Sequence, residues 1–153
     1  MTEASITERI QAELVKAMKE KDAGTLSTVR MLKAALMEAK TAKPKEATLS
    51  REEEIEVLQR YVKKRRETIE INTKADRTDL NPSEEREITV TQRFLPAMLS
   101  EAQLAEVIRA AVASTGAAGP RDMGKVIGAV MAQVKGQAEG ATVSRLVKAA
   151  LAG

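Results

Sequence analysis

Lys125, Lys135, Arg145 and Lys148, near the carboxyl end, are the side chains best suited to chemistry. The chain has no His, no Cys and no Trp. That removes Cys or His metal centres, Cys nucleophiles and His general bases. No catalytic residue, metal ligand or cofactor is therefore assigned. The only aromatics are Tyr61 and Phe94, so RNA binding on aromatic stacking platforms is all but excluded. What is left to the cations is electrostatic: holding phosphates or other anions. The net charge of +3 permits a polyanionic partner without requiring one.

One stretch tests that idea directly. Gly119-Pro120-Arg121-Asp122-Met123-Gly124-Lys125 has the spacing of a phosphate-binding P-loop. The Ser or Thr that would hold magnesium is Val126, and no strand pattern precedes it. Pro120 and Asp122 suit the approach to a helix, and that reading is preferred.

The helix that follows carries a more informative pattern. Met123, Val126, Ile127, Val130, Met131 and Val134 form one apolar stripe. Opposite lie Gly124, Gly128 and Ala132, spaced by four. Each Gly inside a helix costs roughly 0.5–1 kcal/mol against Ala, so two on the outer side call for a reason. Small residues there let another helix or an RNA backbone approach closely. Lys125 and Lys135 flank this ridge. On the last helix Val143, Leu146, Val147, Ala150 and Leu151 form the inner side. Arg145 and Lys148 face outward there, with no acid on that helix to pair them.

Two further basic features lie in the amino-terminal part. Arg30, Lys33 and Lys40 form a strip beside the stripe of Val29, Leu32 and Leu36, with Glu38 about a third of a turn away. The strip suits phosphates, and it equally suits the flank of a core helix. Lys63-Lys64-Arg65-Arg66 is a block only in one dimension, because four consecutive residues point around ~300° of a helix. Arg65 alone projects among apolar positions, where an internal ion pair is expected.

The elements that position these residues are helical throughout. The apolar period predicts helices over about 6–21, 26–40, 51–74, 82–94, 101–114, 122–134 and 142–151. Ser5 with Glu8, Ser50 with Glu53, and Ser100 with Gln103 are capping boxes. Asn81, Pro82 and Glu84 are expected to open the fourth helix, with Gly24 a break before the second. Leu95-Pro96 marks a boundary. Beyond it the chain is rich in Ala, Val and Gly, with six basic and four acidic residues. The expectation is an all-α chain of two helical subdomains. An amino-terminal helical domain covers 1–95, and a small three-helix domain covers 96–153. The start, Met1-Thr2-Glu3-Ala4-Ser5, has no charged-then-apolar signal pattern. No apolar run approaches the ~18 residues of a membrane span. A cytoplasmic protein is expected.

Asp122-Met123-Gly124-Lys125-Val126-Ile127-Gly128, Gly136-Gln137-Ala138-Glu139-Gly140 and Val143-Ser144-Arg145-Leu146-Val147-Lys148 together resemble the carboxy-terminal domain of the GatB/YqeY family. Arg30-Met31-Leu32-Lys33-Ala34-Ala35, 63–69, Arg77-Thr78-Asp79-Leu80 and Phe94-Leu95-Pro96 are similar to the YqeY branch. The resemblance spans nearly the whole chain. It implies kinship with the helical tail of the GatB component of the tRNA-dependent amidotransferase, which helps engage the tRNA body. It also implies a family association with carbon–nitrogen ligase activity using glutamine as amide donor. The catalytic cradle of that component has no counterpart here, so the chain is not expected to catalyse alone.

The expectation is a tRNA-binding accessory module that reads a folded RNA by backbone and shape. Lys125, Lys135, Arg145 and Lys148 would carry it, with Arg30 and Lys33 secondary. It would be a monomer working beside a synthetase or amidotransferase, without a membrane. The alternative is a protein adaptor docking a partner helix on Gly124, Gly128 and Ala132.

Overall fold

The computed structural model describes residues 3–152. Met1 and Thr2, part of the stretch scanned for a signal pattern, lie outside those residues, as does Gly153. The chain is all-helical, with no strand among the described residues. Its backbone groups into two compact units, 1–95 and 96–153.

The amino-terminal unit holds α1 (Ile6–Glu20), α2 (Ala23–Thr41), α3 (Arg51–Lys74) and α4 (Asn81–Gln92). A 3-10 turn, Thr78–Leu80, precedes α4. α1 packs on α2, α3 packs on α4, and α2 also meets α3 and α4. Ile10, Val29, Leu32, Leu36, Leu58 and Val90 fill the centre. The Ser5–Glu8 and Ser50–Glu53 boxes both form as expected. Each satisfies two otherwise orphaned backbone N–H groups.

Two starts differ from expectation. α2 begins at Ala23, with Gly24 inside its first turn. Lys21 ends α1 in the left-handed region, and its neighbour Asp22 accepts from the Thr25 N–H at 3.2 Å. Two residues thus make the whole turn, leaving no room for a break at Gly24. α4 has no side-chain cap. Asn81 is buried and turns away, donating to Thr73 Oγ1 and accepting from Asn72. The 3-10 turn runs straight into the helix instead.

Two polar contacts in this unit are part-buried. Glu54 is 3% exposed and accepts from the Thr7 N–H at 2.7 Å and the Thr7 hydroxyl at 2.6 Å. It thereby satisfies a first-turn donor of α1 from across the unit. Arg65 makes the internal ion pair expected of it. Its guanidinium lies 3.6 Å from both Glu84 and Glu87, over the Tyr61 ring. Tyr61 donates to Glu87 at 2.8 Å. Burial pushes the Glu84 carboxyl above its usual range, against the pull of Arg65. Burial and the Glu87 carboxylate push the Tyr61 phenol up.

The carboxy-terminal unit holds α5 (Glu101–Thr115), α6 (Met123–Gln133) and α7 (Gly140–Ala152). The three pack on one another. Leu104, Ile108, Val126, Val130, Val143 and Val147 form the centre. Ser100 and Gln103 make the expected box, and Gly116 closes α5 with φ 68°. α6 starts after a 3-10 turn, Pro120–Asp122. Asp122 does not cap it; its carboxylate accepts from the Ala118 N–H at 2.9 Å instead. α7 begins two residues before Thr142, because the Val143 N–H already bonds the Glu139 carbonyl.

Candidate nucleic-acid interface

The buried side of α6 is Val126 and Val130, continued by Val134 after its last residue. At ~100° per residue, Gly124, Gly128, Ala132 and Lys125 fall together on the far side, within an arc of about 100°. All four are exposed. A methyl added at Gly124 or Gly128 would meet no atom within 4 Å. The ridge is therefore bare, and no packing within the unit requires its glycines.

Lys135 stands just beyond α6, where the chain turns through Gly136 at φ 76°. The turn is fixed by the Gln137 N–H donating to the Val134 carbonyl and by the Leu99 N–H donating to the Gln137 carbonyl. On α7, Val143 and Val147 face the core. Arg145 and Lys148, three apart, share the outer face with Ala141, Ala149 and Ala152. Ala150, expected inside, is exposed.

The four predicted cations are not equivalent. Arg145 is ion-paired with Glu101 of α5. No acid on α7 pairs it, as the sequence indicates; the partner comes from 44 residues away. Among the described residues, Lys125, Lys135 and Lys148 have no ion-pair or hydrogen-bond partner. Arg121, on the turn into α6, is another exposed cation without one; the sequence does not single it out, because the P-loop spacing points to Lys125. That spacing does not build a phosphate loop. Gly119 is extended, and the next three residues form the 3-10 turn.

In the amino-terminal unit Arg30 is exposed and Lys33 half-buried, both on α2. Neither has a partner among the described residues. Arg65 is engaged within the fold.

The chain matches the YqeY-like protein family over residues 7–151. It is similar to altered inheritance of mitochondria protein 41, mitochondrial, of Pyrenophora tritici-repentis (strain Pt-1C-BFP). The two are 31% identical over 135 residues, covering 85% of this chain and 71% of that protein. With a match that runs through both units, this chain belongs to the YqeY-like protein family.

Proposed function

We propose that the carboxy-terminal unit binds a folded RNA of the tRNA type through its phosphate backbone. The observation that carries this is the company the free lysines keep. Lys125 borders the bare ridge of Gly124, Gly128 and Ala132, and Lys148 stands on an alanine face of α7. Cations beside a surface without projecting side chains suit close approach of a sugar–phosphate backbone. Recognition rests on phosphates, 2′-hydroxyls and shape, because stacking residues are absent from this unit. The two units act as separate domains of a monomer in the cytoplasm. No helix among the described residues is long and apolar enough to cross a membrane. The protein is an accessory to a synthetase or amidotransferase and kin to the helical tail of the amidotransferase's GatB component. It does not catalyse amide transfer alone.

The test is binding of the purified chain to total tRNA, with heparin as a shapeless polyanion control. Lys125→Glu, Lys135→Glu and Lys148→Glu together should cut affinity and lower the salt slope by about 2–3, at roughly 0.7–0.9 per phosphate contact. Unchanged binding, or equal preference for heparin, refutes the reading. A second reading, docking of a partner protein helix on the ridge, draws on the same open space at Gly124 and Gly128. It requires Gly128→Leu to abolish partner binding and the lysine substitutions to do little.

A further inference from the structure

Where α3 packs on α4, two carboxylates of α4 meet one cation of α3. Glu84 and Glu87 are three residues apart, so both lie on the same side of α4. A single nitrogen, Nη1 of Arg65, stands 3.6 Å from Oε2 of each. Both distances are longer than the ~2.9 Å of a charge-assisted hydrogen bond. The side chains of Arg65, Glu84 and Glu87 are only 25%, 18% and 22% exposed.

The two acids are held differently. Tyr61 donates to Glu87 Oε1 at 2.8 Å. Burial, and then Glu87 itself, push the phenol up, so Tyr61 stays a donor. Glu84 Oε2 is buried and makes no hydrogen bond, and the same holds for Arg65 Nε. With both acids ionised, the cluster would carry one uncompensated negative charge largely out of water. It would also keep an acceptor with nothing to accept. A proton on Glu84 removes both penalties. It cancels the excess charge and makes Glu84 a donor, with the Glu87 carboxylate in reach.

The surroundings offer the pair little else. Of the cations nearby, Arg65 is the one whose charge reaches Glu84. The buried stripe of α2, which also packs on α4, carries no charge. The 3-10 turn before α4 brings Asp79, which Arg77 engages. Arg86, on α4 itself, lies against Gly24 of α2. Burial raises the Glu84 carboxyl above its ordinary 4.5; Arg65 pulls it down, and the Glu87 charge and a hydrogen bond to Glu87 push it up again.

We propose that Glu84 and Glu87 hold one proton between them, and that its loss as pH rises loosens α4 from α3. The proton belongs to the pair rather than to one residue. A carboxyl raised by folding contributes its stability fully below 4.5 and loses it as pH climbs through the folded value. The amino-terminal unit therefore carries a pH-sensitive clasp, independent of what the carboxy-terminal unit binds.

The experiment follows the carboxyl C=O stretch of the full chain in an infrared titration upward from pH 4.5. Ordinary carboxyls lose that band near their usual values. One band should persist above them in the wild type and be absent from both Glu84→Gln and Glu87→Gln. In Glu87→Gln, Glu84 has Arg65 to itself and ionises. No persisting band in the wild type overturns the proposal, and that titration needs no variant to fold. A band that survives Glu87→Gln reports burial of Glu84 alone and overturns the sharing. Urea midpoints test the loosening. Gln has the shape of a carboxylic acid that cannot lose its proton. Glu84→Gln should match the wild type at pH 4.5 and exceed it by a margin that grows as pH rises. A margin that does not change with pH, or a variant less stable throughout, overturns the clasp.

Discussion

Gly128 offers the sharpest check on the idea that something outside the fold occupies the α6 ridge. It lies mid-helix in Met123–Gln133, is exposed, and an added methyl would meet nothing within 4 Å. Gly in an exposed helix interior is about 0.8–1 kcal/mol worse than Ala. Gly128→Ala should therefore stabilise the carboxy-terminal unit by about 1 kcal/mol. For a unit of this size that is roughly 4–8 °C in Tm. Gly128→Leu should be no less stable than wild type, since its side chain also enters open space. It would, however, stand between α6 and anything that approaches it. Affinity for total tRNA should fall at least tenfold, or about 1.4 kcal/mol. The paired measurements are a urea or thermal unfolding curve and a tRNA titration on each variant. Destabilisation by Ala would mean the glycine is needed inside the unit, and no external partner would be required to explain it. Wild-type tRNA affinity of the Leu variant would equally refute the reasoning.

Four other outcomes follow from the contacts described. Glu54→Ala strips the buried acceptor from the Thr7 N–H and hydroxyl and should cost about 1.5–3 kcal/mol, read as a lower urea midpoint; Glu54→Gln, which keeps a carbonyl oxygen there, should cost less. Lys21→Gly should stabilise by about 0.5–1 kcal/mol, since Lys21 sits at φ 55° and left-handed backbone costs an L-residue more than the extra freedom of Gly costs the fold. Glu53 is held at about 2, against 4.5 ordinarily, by the Lys43 ammonium and the Ser50 N–H. A depressed carboxyl stabilises fully above 4.5 and loses that contribution as pH falls toward 2, so unfolding midpoints of Glu53→Gln should vary less across that window. Glu101→Gln should free Arg145, and a gain of one phosphate contact would steepen the tRNA salt slope by about 0.7–0.9.

The helices and three of their starts were legible because the signals are local. A capping box closes within three residues, so Ser5–Glu8, Ser50–Glu53 and Ser100–Gln103 depend on nothing distant. Asn81 and Asp122 carry equally good cap chemistry, yet neither side chain caps its helix. Each finds another partner: Thr73 and Asn72 for one, the Ala118 N–H for the other. A short amide or carboxylate can take several donors, and composition does not rank them. Arg65 was legible as internally paired from its apolar neighbours on one helix face, but not its partners Glu84 and Glu87 on the next helix. Glu54 was not legible at all. In Glu52-Glu53-Glu54 it looks like one more first-turn acid, and its partner Thr7 lies 47 residues away. The lysines of the candidate interface were placed on outer faces by the helical period alone. The Glu101 pairing of Arg145 was not, for the same reason of distance in sequence.

How each cation is held bears on what the surface can recognise. Arg9, Arg51, Arg65, Arg77, Arg109 and Arg145 are engaged by carbonyls, carboxylates or ring faces. The free charges of the carboxy-terminal unit are mostly lysines. A guanidinium is a rigid fork suited to fixed pairing, whereas an ammonium is a hydrated point charge on a flexible stem. Lysines therefore follow an irregular backbone without demanding particular base edges. Arg145 stands apart from them while Glu101 holds its guanidinium. A surface of this kind cannot discriminate by sequence. On the proposed reading, selection among RNAs would come from where the phosphates stand, which is set by the fold of the RNA and by how closely it can approach a helix face bare at Gly124 and Gly128.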